Sequence, residues 1–334
     1  MGALYLTEQG SVLRRTGERL VVTKDGKRLQ EVPIIHVEQV VVMGNVQLTT
    51  PAVALLLQKD VDVVFLSSYG KFRGRLMTTG SKFAELRHRQ LQMMSEEARC
   101  LSLARAIVTG KLRNQQTVLR GLGVRGSPVK AIERAIGQVQ QAGNLDSLRG
   151  FEGSAGAQYF AALRTLIPAR WGFTKRIYHP PTDPVNALLS FGYTLLLKDT
   201  HAAVQLVGLD PFLGVFHALE YGRPSLVLDA MEEFRPLVDE MVLEMVLGGG
   251  VRLNDFQPPR RKDKAVLLHD EPRKGFLQAY ESQISRRVRY PPTGERTTYR
   301  RCVELQVRQL ARVVLGQERR YRPFVMPQEK GGGE

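Results

Sequence analysis

Val61-Asp62-Val63-Val64-Phe65-Leu66-Ser67 is a short, β-branched apolar run, of the length and composition of a buried strand. Ser81-Lys82-Phe83-Ala84-Glu85-Leu86-Arg87-His88-Arg89-Gln90-Leu91 follows soon after and reads differently. Phe83, Leu86, Leu91, Met94 and Leu101 recur among charged neighbours at helical spacing. The period therefore changes near residues 78–80. That predicts an α+β chain of two domains: a small N-terminal β-sandwich over residues 1–80, then a larger all-α domain over residues 81–325.

Upstream of the change the pattern is that of short strands. Residues 3–7, 11–15, 18–23 and 28–34 follow at close intervals, and Asp25-Gly26 between the last two is a hairpin turn. Residues 37–43 are Val-rich and read as a more buried strand. One short helix breaks the series, with Thr50 as its cap, Pro51 in its first position and residues 52–58 as its body. Downstream, everything reads as helices joined by Gly/Pro loops. Asp183-Pro184 and Asp210-Pro211 are cap-plus-proline starts, and Gly222 stands where a helix begun at Pro211 would end. Residues 257–264 read as a basic loop, and residues 326–334, ending Gly-Gly-Gly-Glu, as a flexible tail.

The chain has 334 residues, 48 Lys and Arg against 33 Asp and Glu, and a formal net charge of +15. Such an excess favours polyanions, nucleic acid above all. The basic pairs Arg286-Arg287, Arg300-Arg301 and Arg319-Arg320 are candidate DNA contacts. The most apolar stretch, residues 185–197, is too short and too interrupted to cross a membrane, and no signal peptide is legible. Two cysteines, Cys100 and Cys302, stand apart without zinc spacing, which suits a reducing cytoplasm.

Acids and a histidine in apolar surroundings are the candidates for chemistry. Glu152 is expected to open a helix within Phe151-Glu152-Gly153-Ser154-Ala155-Gly156-Ala157, where it could equally serve the helix dipole. The small residues after it suit the close approach of a backbone or ligand. His217, within Asp210-Pro211-Phe212-Leu213-Gly214-Val215-Phe216-His217, is expected on a helix among apolar neighbours. Asp229 and Glu232 are three apart and share a helix face, a clustering that calls for a cation or for Arg235 or Arg223 as partner. Two carboxylates and an imidazole, Glu152, Glu232 and His217 with Asp229 in reserve, form a plausible Mg²⁺ or Mn²⁺ site for phosphodiester chemistry.

Several segments in order resemble the CRISPR-associated spacer-acquisition integrase family. They are Lys111-Leu112-Arg113-Asn114-Gln115, Gly150-Phe151-Glu152-Gly153-Ser154-Ala155, Pro184-Val185-Asn186-Ala187-Leu188-Leu189-Ser190-Phe191-Gly192-Tyr193, Gly208 to His217, Gly222 to Pro236, Gln306-Val307-Arg308 and Tyr321-Arg322-Pro323-Phe324. The resemblance implies metal ligands at Glu152, His217 and Glu232, with Asp229 matching an acidic position beside them. It implies a homodimer, two of which flank a dimer of a small partner, Cas-two. It also implies that the 3′-hydroxyl of a DNA fragment attacks a phosphodiester at the edge of a CRISPR repeat. Two other readings stay open from the residues: a structure-selective nuclease that uses water, and a basic DNA-binding scaffold without activity.

Overall fold

The computed structural model describes residues 2–68, 72–76, 83–257 and 265–327. The change of period at residues 78–80 and most of the basic loop at 257–264 lie outside the described residues. The chain divides into two compact units, Met1–Ser81 and Lys82–Glu334.

The first unit holds β1 (Gly2–Leu6), β2 (Val12–Thr16), β3 (Arg19–Lys24), β4 (Lys27–Pro33), β5 (Val37–Met43), β6 (Gln47–Leu48), α1 (Thr50–Gln58), β7 (Asp62–Leu66) and β8 (Phe72–Leu76). They form two four-stranded sheets, ordered β1-β5-β7-β8 and β4-β3-β2-β6. Leu4, Val40 and Val63 of the first sheet, Leu13, Leu20 and Val22 of the second, and Leu55 and Leu56 of α1 share one core. The first sheet is mixed, because β1, β5 and β7 run parallel while β8 pairs antiparallel with β7. Its central strand β5 is buried at six of seven positions, as its run of valines implies. The β3–β4 turn is made by Asp25 (φ 49°) and Gly26 (φ 74°), both left-handed as a two-residue hairpin requires. The N-cap of α1 is Thr49, one residue before the expected Thr50.

The second unit is built mainly of α2 (Ala84–Met94), α3 (Glu97–Gly121), α4 (Ser127–Gln141), α5 (Leu145–Leu166), α6 (Pro184–Val207), α7 (Ser225–Met231), α8 (Arg235–Leu247), α9 (Asp270–Ser285) and α10 (Tyr299–Val314). It is not purely helical. Two antiparallel ribbons, β9 (Phe256–Gln257) with β10 (Leu267–Leu268) and β11 (Arg287–Arg289) with β12 (Arg296–Thr298), correct the all-α expectation. No described helix is long and apolar enough to cross a membrane.

Asp183 caps α6 by accepting from the backbone N of Asn186, but Asp210-Pro211 starts no helix. Asp210 Oδ1 accepts from Phe212 N instead. Gln90 of α2 bonds the backbone of Asp210 and Leu213, and Gly222 (φ 72°) lies in a turn. Residues 208–224 remain irregular because buried side chains satisfy the backbone groups that a helix would have paired. Residue 326, the expected start of the tail, is held in place, and residues 328–334 lie outside the described residues. Met326 is buried and its backbone N donates to Asn114 Oδ1 at 2.7 Å.

Candidate metal centre and its charge environment

Four segments of the second unit converge. Glu152 lies in the middle of α5, whose start is Asn144 with a reciprocal Ser147 cap. It does not open the helix, so the dipole reading fails for it. Gly153 faces open space and Gly156 meets only Glu152 itself, so the small residues leave the helix surface beside the carboxylate uncovered.

His217 stands on the irregular segment before α7. Arg149, one turn before Glu152 on α5, clamps this segment by donating to Phe216 O at 3.0 and 2.8 Å. Asp229 of α7 holds it from the other side. One carboxylate oxygen accepts from Val215 N (2.6 Å) and Phe216 N (3.0 Å), the other from His217 N (2.9 Å), and His217 Nδ1 lies 2.7 Å from Oδ1. Gly214 is required here, because a Cβ would stand 2.8 Å from Asp229 Oδ2 and 2.6 Å from the Ser225 backbone. Both oxygens of this fully buried acid thus accept from internal donors, so Asp229 shapes the loop and orients the imidazole. Its bond to Nδ1 leaves His217 Nε2 as the outward nitrogen, in the carboxylate–imidazole pairing that orients metal-binding histidines.

Glu232 follows at the turn between α7 and α8, 3 % exposed. His217 Nε2 is 3.8 Å from its Oε1. Of the partners expected for these acids, Arg235 is the one found: its Nε donates to Glu232 Oε1 at 2.6 Å. Lys111 of α3 joins the two catalytic-candidate carboxylates. Its ammonium bonds Glu152 Oε1 and lies 2.6 Å from Glu232 Oε2.

Burial pushes the Glu232 carboxyl up, but Arg235, Lys111 and His217 outweigh it and hold the group at about 2. Burial pulls Lys111 down, and Glu232 and Glu152 more than restore it, so it stays charged. Glu233, next in sequence, points away. It accepts from Gln306 Nε2, Tyr321 OH and Phe324 N, and burial raises it to about 8.

Among the described residues, no three imidazole, carboxylate or thiol groups meet at one point in metal-binding geometry. The point between Glu152 and Glu232 is filled by the Lys111 ammonium, so the residues already converge on one positive charge. This donor set fits a divalent cation: two carboxylates and an oriented Nε2. Lys111 is the member to which sequence reasoning gave no part, whereas Arg235 was named only as a charge partner. The signal for Lys111 was a lysine in the apolar run from Ile107 to Leu112, where a buried charge needs partners.

The candidate DNA contacts divide. Arg300 is drawn inward, bonding Glu281 at 2.8 and 2.9 Å and lying 3.5 Å from Asp199. Arg286 donates to Tyr299 OH, and Arg301 pairs with Glu304. Arg287, Arg319 and Arg320 are exposed.

Comparison with known proteins agrees along the whole chain. The chain is 36% identical over 329 residues to a CRISPR-associated endonuclease Cas1 of Thermus thermophilus, covering 98% of each. It is 32% identical over 339 residues to one of Moorella thermoacetica, covering 97% of this chain and 98% of that one. Among solved structures, a Cas1 protein from Thermotoga maritima matches with a TM-score of 0.81 at 24% identity over the full length of both chains. A casposase bound to integration product matches with a TM-score of 0.85 at 20% identity, over 100% of this chain and 95% of that one. The family model described as CRISPR associated protein Cas1 matches residues 4–282, and the chain belongs to that family.

Proposed function

We propose that this chain is a metal-dependent DNA integrase and endonuclease that inserts DNA fragments as new spacers into a CRISPR array. The observation that carries the reading is that Lys111 joins Glu152 to Glu232, with His217 Nε2 3.8 Å from Glu232, in a protein of +15 net charge. Its endonuclease-named relatives, and the integration product bound by a structural neighbour, favour the same chemistry.

Glu152, Glu232 and His217 would hold Mg²⁺ or Mn²⁺, which supplies acidification of the attacking hydroxyl and relief of transition-state charge. The reaction is an exchange. The fragment's 3′-oxygen bonds to phosphorus, and the bond from that phosphorus to the departing 3′-oxygen of the repeat strand breaks. Phosphodiesters are conserved in number, and the proton moves from the attacking to the departing oxygen. Asp229 fixes the tautomer and direction of His217. Lys111 and Arg235 balance the buried carboxylates and place positive charge where an anionic backbone must enter.

We assign DNA and a second copy of this chain as partners, with assembly through the strand-rich residues 1–80 and chemistry in the helical unit. A small Cas-two dimer is the further partner, as the Cas6-RT-Cas1–Cas2 complex among the matched structures suggests (TM-score 0.81, 24% identity). The cytoplasm is the compartment where these partners meet.

The test is an integration assay with a labelled fragment, a repeat-bearing plasmid and the small partner. Strand-joined product that requires the divalent ion supports the reading. Only hydrolysed DNA would leave a nuclease, and DNA binding without any metal-dependent product would leave a scaffold.

A further inference from the structure

Away from the acid cluster, α3, the end of α4 and the segment after α10 enclose an open cleft of about 480 Å³. Arg99, Arg105 and Arg113 of α3 line it together with Arg319 and Arg320, and none of its lining residues is acidic. Two of these arginines are committed within the chain. Arg99 pairs with Glu96 at 2.8 Å and donates to Val313 O, and Arg105 donates to Ala142 O. Arg113, Arg319 and Arg320 are exposed and pair with no acid among the described residues. The nearby Glu318 is bound to Arg312 at 2.5 Å.

Three guanidinium groups crowded on one concave surface repel one another, and an anion relieves that repulsion. The lining arginines of α3 are spread along the helix rather than gathered at one point. From Arg99 to Arg113 the helix rises about 21 Å at 1.5 Å per residue, which matches about six steps of a duplex strand at roughly 3.4 Å each. The cleft is also distinct from the acid cluster. Arg113 follows Lys111 by two residues, about 200° around the helix. Lys111 is buried against Glu152 and Glu232, whereas Arg113 faces solvent.

We propose that this cleft is a second DNA site, which grips the sugar–phosphate backbone of one strand on the face of α3 turned away from the acid cluster. Contacts of this kind fix position and carry no sequence information. The proposal rests on the reading of the chain as a DNA-acting protein, but it does not depend on metal or on strand transfer.

The test is the triple variant Arg113→Ala/Arg319→Ala/Arg320→Ala, with DNA affinity titrated against salt in the presence of chelator. The expected slope of log K against log salt is shallower by about three, at roughly 0.9 for each phosphate no longer neutralised. Affinity should fall at least about tenfold near 0.1 M salt, with an unchanged melting temperature. If the triple variant melts early, the single variants Arg113→Ala and Arg320→Ala should each change the slope by about one. A folded variant with wild-type slope and affinity overturns the proposal. So does tripolyphosphate binding that the variant loses while its DNA affinity stays intact, since the cleft would then serve a small polyanion. If the variant shows the slope change but the wild-type protein never joins strands, the integrase reading alone fails. If the wild-type protein integrates and the variant shows no slope change, the cleft proposal alone fails.

Discussion

His217 Nδ1 lies 2.7 Å from Oδ1 of Asp229, an acid that also accepts three successive backbone N–H groups, from Val215, Phe216 and His217. One buried carboxylate therefore both shapes the loop and aims the imidazole. Replacing it with Ala strands four donors in the interior, each at a cost of about 1–3 kcal/mol if unrelieved. Asp229→Ala should melt well below the wild type and lose activity with it. Asp229→Asn should fold better, because its remaining oxygen still accepts, and should lose activity by misdirecting His217. An Asp229→Ala protein with wild-type melting in thermal denaturation would refute the loop-shaping role.

Glu152→Ala, His217→Ala and Glu232→Ala should each lower strand transfer by roughly several orders of magnitude, as expected when a divalent site loses one of three ligands. DNA affinity should survive, because it comes from distributed arginine contacts. Glu232→Ala should also lose some stability, since Arg235 and Lys111 lose their buried partner. Integration, DNA binding and melting measured side by side decide the matter. A folded Glu152→Ala protein that integrates at the wild-type rate would refute the site.

Lys111→Ala removes the cation that bridges Glu152 and Glu232. Breaking a buried ion pair from one side costs about 3–5 kcal/mol, reduced here because Arg235 still holds Glu232. In chelator the variant should melt below the wild type. Added Mn²⁺ should raise its melting temperature more than that of the wild type, since ligand binding stabilises the folded state by mass action. Equal Mn²⁺ responses in the two proteins would show that the ammonium does not stand where the metal binds.

Asp239 of α8 is buried beneath the hydroxyls of Tyr159 and Tyr193. Burial raises its carboxyl to about 6, from an ordinary value of 3.8, despite those hydrogen bonds. A folded value above the unfolded one means that the protonated acid favours folding. Its contribution is complete below 3.8 and is lost as pH rises towards 6, over a span worth up to roughly 3 kcal/mol. Asp239→Asn should remove this slope, so the stability difference between wild type and variant should change in denaturant titrations from about pH 4 to 6. A difference that stays constant across that window would contradict the raised value.

The amino-acid order alone determined the kinds of element and which side chains are chemically unusual. Valine-rich runs and the Asp25-Gly26 turn specify strands and a hairpin through local backbone preference. Asp183-Pro184 specifies the start of α6 because capping is satisfied within one turn. Glu152, His217 and Glu232 stood out as polar groups in apolar company. Where long-range partners outweigh local preference, only the tertiary structure decided. Asp210-Pro211 carries the same local signal as Asp183-Pro184, yet Gln90 and Asp229, distant in sequence, capture the backbone that a helix would have used. The same holds within the site. Spacing put Asp229 and Glu232 on one helix face, Glu232 as a ligand and Asp229 in reserve. Folding separated them into an acid consumed by four internal donors and an acid facing Lys111, Arg235 and His217. No periodicity records which donors arrive from another part of the chain, and those donors set whether a buried carboxylate builds the loop or meets the cation.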